Sequence, residues 1–308
     1  MQVLKQLGKL GLLSTLAIGL AYSVPAQAGS TYAKTKYPVV LAHGMFGWDV
    51  MLGIDYWYQI PSDLQKNGAT VYTTQVSNLE SSEVRGEQLL QQVKQIMAIT
   101  GKAKVNLIGH SHGGHSVRYV AAAIPSQVAS VTGMASPVKG APLADLLVNG
   151  GTAGSVGTQV LQGLGVILSV LSGGGNLNVS ANQSLVSLST AGSAAFNAKY
   201  PQAVPTTACG EGAYTVNGVR YYSFGGVSPV TNIFDILDGA VGLVSLASNK
   251  PNDGLVEKCS THLGQVIRDD YKMNHIDFMN HVFGIRAIGT DPKGVYRQQL
   301  NRLKTAGF

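Results

Sequence analysis

One short segment limits the fold more than any other part of the chain. Lys104-Val-Asn-Leu-Ile108 is an apolar run of strand type that ends directly in Gly109-His110-Ser111-His112-Gly113, and residues 116–123 after it carry a helical pattern. A serine in so tight a strand-to-helix turn is forced outward, and the flanking glycines leave room for the cramped backbone. The helix that follows turns its N-terminal amides toward any negative charge that develops there. Ser111 is therefore a candidate nucleophile, and its setting calls for a sheet flanked by helices.

The rest of the chain repeats that rhythm. Residues 38–42 form an apolar strand followed by the turn-rich His43-Gly44-Met45-Phe46-Gly47, residues 57–68 a helix and its exit, and residues 70–76 a second strand. Residues 82–99 are a strong helix, with Val84, Leu89, Leu90, Val93, Ile96 and Met97 recurring at three- and four-residue spacings and Gly101 as its stop. Further strands are predicted at 128–135, 221–224 and 264–267. The alternation predicts an α/β fold with a mostly parallel central sheet and helices on both faces. Residues 150–175 break the pattern: they are nearly charge-free, and 160–171 are almost continuously apolar although Gly163 and Gly165 weaken them as helix. A buried core helix and a mobile apolar cover over a pocket both fit, and the flanking glycines, which could hinge, favour the cover.

The first 28 residues stand apart. Lys5 and Lys9 precede a short apolar run, and Ala26-Gln27-Ala28 reads as a cleavage motif, so 1–28 is a secretory signal peptide and 29–308 a single catalytic domain with an insertion at about 150–175. Removing two lysines and no acid lowers the formal net charge from +6 to +4. The weakly basic balance and the lack of a long basic block argue against nucleic acid as a partner, and no apolar run in the mature part reaches membrane-spanning length. Cys209 and Cys259 are the only cysteines, and an even pair in an exported chain reads as one disulfide.

A serine needs a base to become nucleophilic. The histidines downstream are His262, His275 and His281; the acids available to orient one are Asp235, Asp238, Asp253, Glu257, Asp269, Asp270 and Asp277. Asp253 in Asn252-Asp-Gly-Leu-Val256 and His275 in Lys272-Met-Asn-His-Ile276 occupy loop-like stretches and are preferred, but these patterns leave the choice open. Two amides suit an oxyanion: the N–H of His112, after the serine, and that of Met45, in the loop after the first strand.

Longer stretches carry a family likeness. Val40-Leu-Ala-His-Gly-Met45, Glu83-Val-Arg-Gly-Glu-Gln-Leu-Leu-Gln-Gln-Val93, Lys104-Val-Asn-Leu-Ile-Gly-His-Ser-His-Gly-Gly114, Phe196-Asn-Ala-Lys-Tyr-Pro201 and Asn252-Asp-Gly-Leu-Val256 resemble the secreted triacylglycerol lipases of Gram-negative bacteria, in the Pseudomonas and Burkholderia group and the Pseudomonas branch most. The resemblance implies an α/β-hydrolase fold, with Ser111 as nucleophile, Asp253 as acid and His275 as base, Met45 and His112 as oxyanion donors, a Cys209–Cys259 disulfide and a lid helix within 150–175. It implies one structural calcium ion held by the carboxylates of Asp235 and Asp277 and by backbone oxygens at Ile285 and His281. At His281 the family has glutamine. It further implies a periplasmic foldase, export by a type II system, and a lipid surface as the place of work. Long-chain acylglycerol hydrolysis is the leading expectation. A soluble carboxylesterase for short esters and an inert lipid-binding protein are the alternatives.

Overall fold

The computed structural model describes residues 30–45, 50–51, 54–150, 154–171, 183–281 and 283–308. The expected leader at 1–28 lies outside them. The strands are β1 (Val39–Ala42), β2 (Val50–Met51), β3 (Ile54–Asp55), β4 (Val71–Thr74), β5 (Val105–His110), β6 (Val128–Met134), β7 (Thr215–Val216), β8 (Val219–Gly226) and β9 (Gln265–Tyr271). The helices are α1 (Ile60–Lys66), α2 (Ser82–Thr100), α3 (Gly113–Ala123), α4 (Pro142–Val148), α5 (Gly154–Leu171), α6 (Gln183–Leu188), α7 (Thr190–Lys199), α8 (Asp238–Ser245) and α9 (Pro292–Thr305).

Seven strands form the central sheet in the order β4-β1-β5-β6-β8-β7, with β9 also paired to β8. All pairs are parallel except β7–β8, a hairpin turned at Asn217-Gly218, both at positive φ. Period-two alternation splits the strand side chains between two cores. Val39, Leu41 and Ile108 face a cluster containing Ile60 and Leu64 of α1 and Tyr296 and Leu300 of α9, whereas Val40, Ala42, Val105 and Leu107 face Leu89 and Val93 of α2 and Val117 and Val120 of α3. The chain goes outward from β1 to β4, then returns across β1 to β5. The order thus reverses between β1 and β5, and the crevice beyond their carboxyl ends is where such sheets bind ligands.

Most elements fall where the spacing predicts, with differences that have local causes. Helix α3 begins at Gly113, earlier than its apolar pattern suggests, because its first turn opens on two glycines that carry no side chain to mark it: a Cβ on Gly113 would overlap the Ala42 carbonyl, and one on Gly114 the Ser136 side chain. Helix α5 runs unbroken through Gly163, where a Cβ would meet the Ala240 carbonyl oxygen at 2.5 Å, so the glycine lets α5 lie closely on α8. Val160, Leu164 and Ile167 are buried on that side while Val156, Leu161 and Val166 are exposed. The segment is both a packed helix and one with an apolar outer face.

Cys209 and Cys259 form a disulfide across 50 residues. Loop-closure entropy makes such a link worth about 4 kcal/mol. No described helix is long and apolar enough to cross a membrane.

Candidate active site

Ser111 stands at the end of β5 with φ 54°, in the left-handed region that non-glycine residues rarely enter. The turn is held by backbone bonds on both sides. Ser111 N–H donates to the Met134 carbonyl (3.0 Å), and its own carbonyl accepts from Gly114 N–H (3.0 Å) and from Ser136 Oγ (2.9 Å). A Cβ on Gly109 would overlap the Gly113 carbonyl, so the tight turn needs glycine before the serine as well as after it. The loop after β1 lies against it, since a Cβ on Gly44 would stand 2.8 Å from Ser111 Cβ and 3.3 Å from its Oγ. Met45, next in that loop, is partly buried against the apolar cluster that includes Val160 and Leu164 of α5.

Of the histidines and acids left open above, His275 and Asp253 pair. His275 Nδ1 lies 2.9 Å from Asp253 Oδ2, and both residues are buried. Asp253 Oδ1 accepts from the N–H groups of Leu255 (3.0 Å) and Val256 (2.8 Å), and His275 N–H donates to the Asp253 carbonyl (2.8 Å), so the two loops are clipped together. The other candidates go elsewhere. His262 pairs with Asp269 (2.9 Å), Glu257 with Lys250 (3.1 Å), Asp270 with Arg268 (2.7 Å), and the His281 ring lies against Tyr58.

A hydrogen-bonded chain joins the two halves of the site. Gly44 N–H donates to Tyr56 Oη (3.0 Å), Tyr56 Oη lies 2.6 Å from His110 Nδ1, and His110 Nε2 lies 3.1 Å from the His275 carbonyl. That carbonyl can only accept, so His110 carries its proton on Nε2 and Tyr56 donates to Nδ1. The His110 and His275 rings are 4.7 Å apart, which brings the residue beside Ser111 into contact with the Asp253-paired imidazole.

Arg85, fully buried in α2, fixes the loop after β1. Its guanidinium donates to the carbonyls of His43 (2.8 Å), Gly44 (3.0 Å) and Ser77 (2.5 Å). A second tie runs from His112 Nε2 to Ser82 Oγ (2.8 Å) at the start of α2. Sequence reading missed Arg85, Tyr56 and His110. Arg85 did leave a trace, because it lies on the buried stripe of Leu89, Val93 and Ile96, where an arginine needs buried acceptors.

Burial also sets the protonation of this region. His43 is lowered to about 3 by burial and by nearby Arg85, and burial carries His110, His112 and His115 well below their ordinary value. Burial raises the Asp277 carboxyl to about 7. On unfolding, four imidazoles regain their usual affinity and take up protons below about pH 6.5, while Asp277 releases one above about pH 4. The imidazoles outnumber the one carboxyl, so the unfolded chain binds more protons between those limits and stability falls as the pH is lowered. Thermal melts from pH 7 to 4.5 should show a steep fall in Tm; a flat profile would refute it.

Comparison with known proteins then decides the family. Residues 37–236 match the α/β-hydrolase fold family. The chain belongs to the α/β-hydrolase family. This hydrolase is 52% identical over 300 residues to a triacylglycerol lipase of Vibrio cholerae, covering 96% of each chain. It is 38% identical over 288 residues to one of Pseudomonas fragi, covering 89% of this chain and 98% of that one. The mature lipase of Bacillus licheniformis shares the fold at a TM-score of 0.61 and 20% identity, over 87% and 92% of the two chains. These relatives place the hydrolase in the lipase/esterase branch of the serine hydrolases. The branch expected from the motifs is too narrow: the likeness extends to Vibrio, at higher identity than to the Pseudomonas protein.

The calcium site is also corrected. Among the described residues, the only converging group of His, Cys, Asp or Glu ligand atoms is Cys209, Cys259 and His262, and its two sulfurs are bonded to each other. Asp235, Asp277, His281 and Ile285 make no such set. Asp235 Oδ1 accepts from Leu237 N–H (2.8 Å) and Asp277 Oδ2 from Asn274 N–H (3.1 Å).

Proposed function

We propose that this hydrolase is a secreted triacylglycerol lipase that cleaves long-chain acylglycerol esters at a lipid–water surface. The observation that carries the reading is the buried Asp253–His275 pair, clipped by the His110 contact to the strained turn of Ser111 at the point where the sheet order reverses. Ser111 Oγ attacks the ester carbonyl while His275 Nε2 takes its proton, and Asp253 holds the ring and stabilises its positive charge. The oxyanion is met by the N–H groups of Met45 and His112. His275 then gives the proton to the departing alcohol, leaving an acyl-enzyme. Water attacks the acyl carbon, losing its proton to His275, which returns it to Ser111 as the fatty acid leaves.

Helix α5 serves as the lid: its exposed Val156, Leu161 and Val166 are tolerated by oil and opposed by water. The same reading includes a leader at residues 1–28, assistance by a periplasmic foldase and release through a type II system. The relatives named triacylglycerol lipases support the substrate class. Treatment with a long-chain alkyl phosphonate should modify Ser111 alone, as read by peptide mass spectrometry, and abolish turnover; modification of another residue would refute the assignment. Rates on emulsified long-chain glycerides against dissolved short esters separate the lipase from a carboxylesterase.

A further inference from the structure

We propose that two exposed apolar loops, residues 230–236 and 283–288, form a docking rim for a hydrocarbon surface, separate from α5, which seats the enzyme on lipid. The proposal rests on the lipase reading and deepens it. Among the described residues, four of the five most exposed large apolar side chains belong to these loops: Ile233 (89%), Ile288 (88%), Phe234 (75%) and Ile236 (67%). Phe234 and Ile288 line one groove, and Asn232 Nδ2 donates to the Arg286 carbonyl (2.9 Å), so the loops form one surface. The charged residues within them point the other way. Asp235 is buried, with Oδ1 accepting from Leu237 N–H, and the Arg286 guanidinium folds back on the carbonyls of Thr290 (2.7 Å) and Gly284 (3.2 Å). Apolar side chains outward and charges inward is the polarity that hydrocarbon selects and water opposes.

Two further features favour lipid as the occupant. Phe283 is 60% exposed at φ 51°, a conformation costly for a bulky residue, with one edge of its ring against Tyr58 and the greater part of its surface open. The rim also leads directly into α8, on which α5 packs, so its apolar surface adjoins the proposed lid. Its inner side is tied to the site: Asp238 accepts from the N–H groups of Thr231 and Asn232 and from Asn274 Nδ2 (2.7 Å), and Asn274 adjoins His275. Docking therefore bears on the loop that carries His275.

The test measures docking without hydrolysis. In the full-length Ser111→Ala background, Ile233→Ser, Phe234→Ser and Ile288→Ser are combined and partitioning onto glycerol trioleate droplets is followed by flotation. Each large apolar side chain withdrawn from water is worth about tenfold, so a loss on the order of 100-fold or more is expected. In the active enzyme the same three substitutions should leave kcat/KM on a dissolved short ester within about twofold and leave Tm unchanged, while hydrolysis of the emulsion falls. Ile99→Ser, an isolated exposed residue at the end of α2, should change nothing. Unchanged partitioning, an equal loss with Ile99→Ser, or a parallel loss on the dissolved ester would overturn the proposal. So would a lower yield of folded enzyme with normal droplet binding, which would give the rim to a folding partner. Failure of the unmodified enzyme on triacylglycerol, with turnover of dissolved esters, would defeat the lipase reading alone, since droplet binding is scored independently.

Discussion

Ser111→Ala is expected to lower kcat/KM for ester hydrolysis by about 10⁵-fold while leaving the fold intact. The size of the loss follows from the proposed chemistry. Without Oγ no acyl-enzyme forms, and what remains is the stabilisation offered by the two amides and by substrate binding, typically about 10³-fold over water. The intact fold follows from the geometry of the turn. The bonds recorded at residue 111, to Met134, Gly114 and Ser136, all use its backbone, and alanine inherits the same φ of 54° with a side chain no larger. The neighbouring Gly44 approaches the Cβ, which alanine retains. Tm should therefore move by no more than about 2 °C while activity on both dissolved and emulsified esters disappears. A variant keeping a tenth of the parent rate would show that another group attacks the carbonyl.

Local patterns carried most of the fold and only part of the site. The turn around Ser111 was legible because strand, glycine, serine, glycine and helix are contiguous, and each requires the next. The apolar stripe of α2 and its stop at Gly101, which sits at φ 63°, were legible for the same reason. Contacts between distant segments were not. Three histidines and seven acids were compatible with the patterns, and only packing distinguishes Asp253–His275, 22 residues apart, from His262–Asp269, which is equally well bonded but lies beside the disulfide. Gly163 was read as a weakness in a helix, whereas it is the point at which α5 touches α8; a glycine's cost to a helix can be read locally, but its gain depends on a partner chosen by the fold. The Asn217-Gly218 hairpin had a local signal that was passed over. The calcium ligands were carried over by likeness alone, and among the described residues the only converging group of His, Cys, Asp or Glu ligand atoms lies at the disulfide instead.

Asp253→Asn should reduce kcat by about 10³-fold with little change in KM or Tm, and the reason lies in which end of the new amide faces the histidine. In the parent, Oδ1 accepts two backbone N–H bonds, from Leu255 and Val256, while Oδ2 faces His275 Nδ1. An asparagine must keep its carbonyl oxygen where the two amides donate, since turning the NH₂ group there would set donor against donor twice. The NH₂ group is thereby directed at His275 Nδ1 and donates to it. The ring's proton is then placed on Nε2, the nitrogen that has to receive the Ser111 proton, so the base is held in the wrong tautomer within an unchanged scaffold. Among the described residues, Asp253 is the only carboxylate paired with His275, so no neighbour takes over. Steady-state kinetics on a dissolved ester separates kcat from KM without the complication of an interface. A loss below about tenfold would mean that His275 is oriented chiefly by its packing on His110 and by the clip from its own N–H to the Asp253 carbonyl, rather than by the carboxylate.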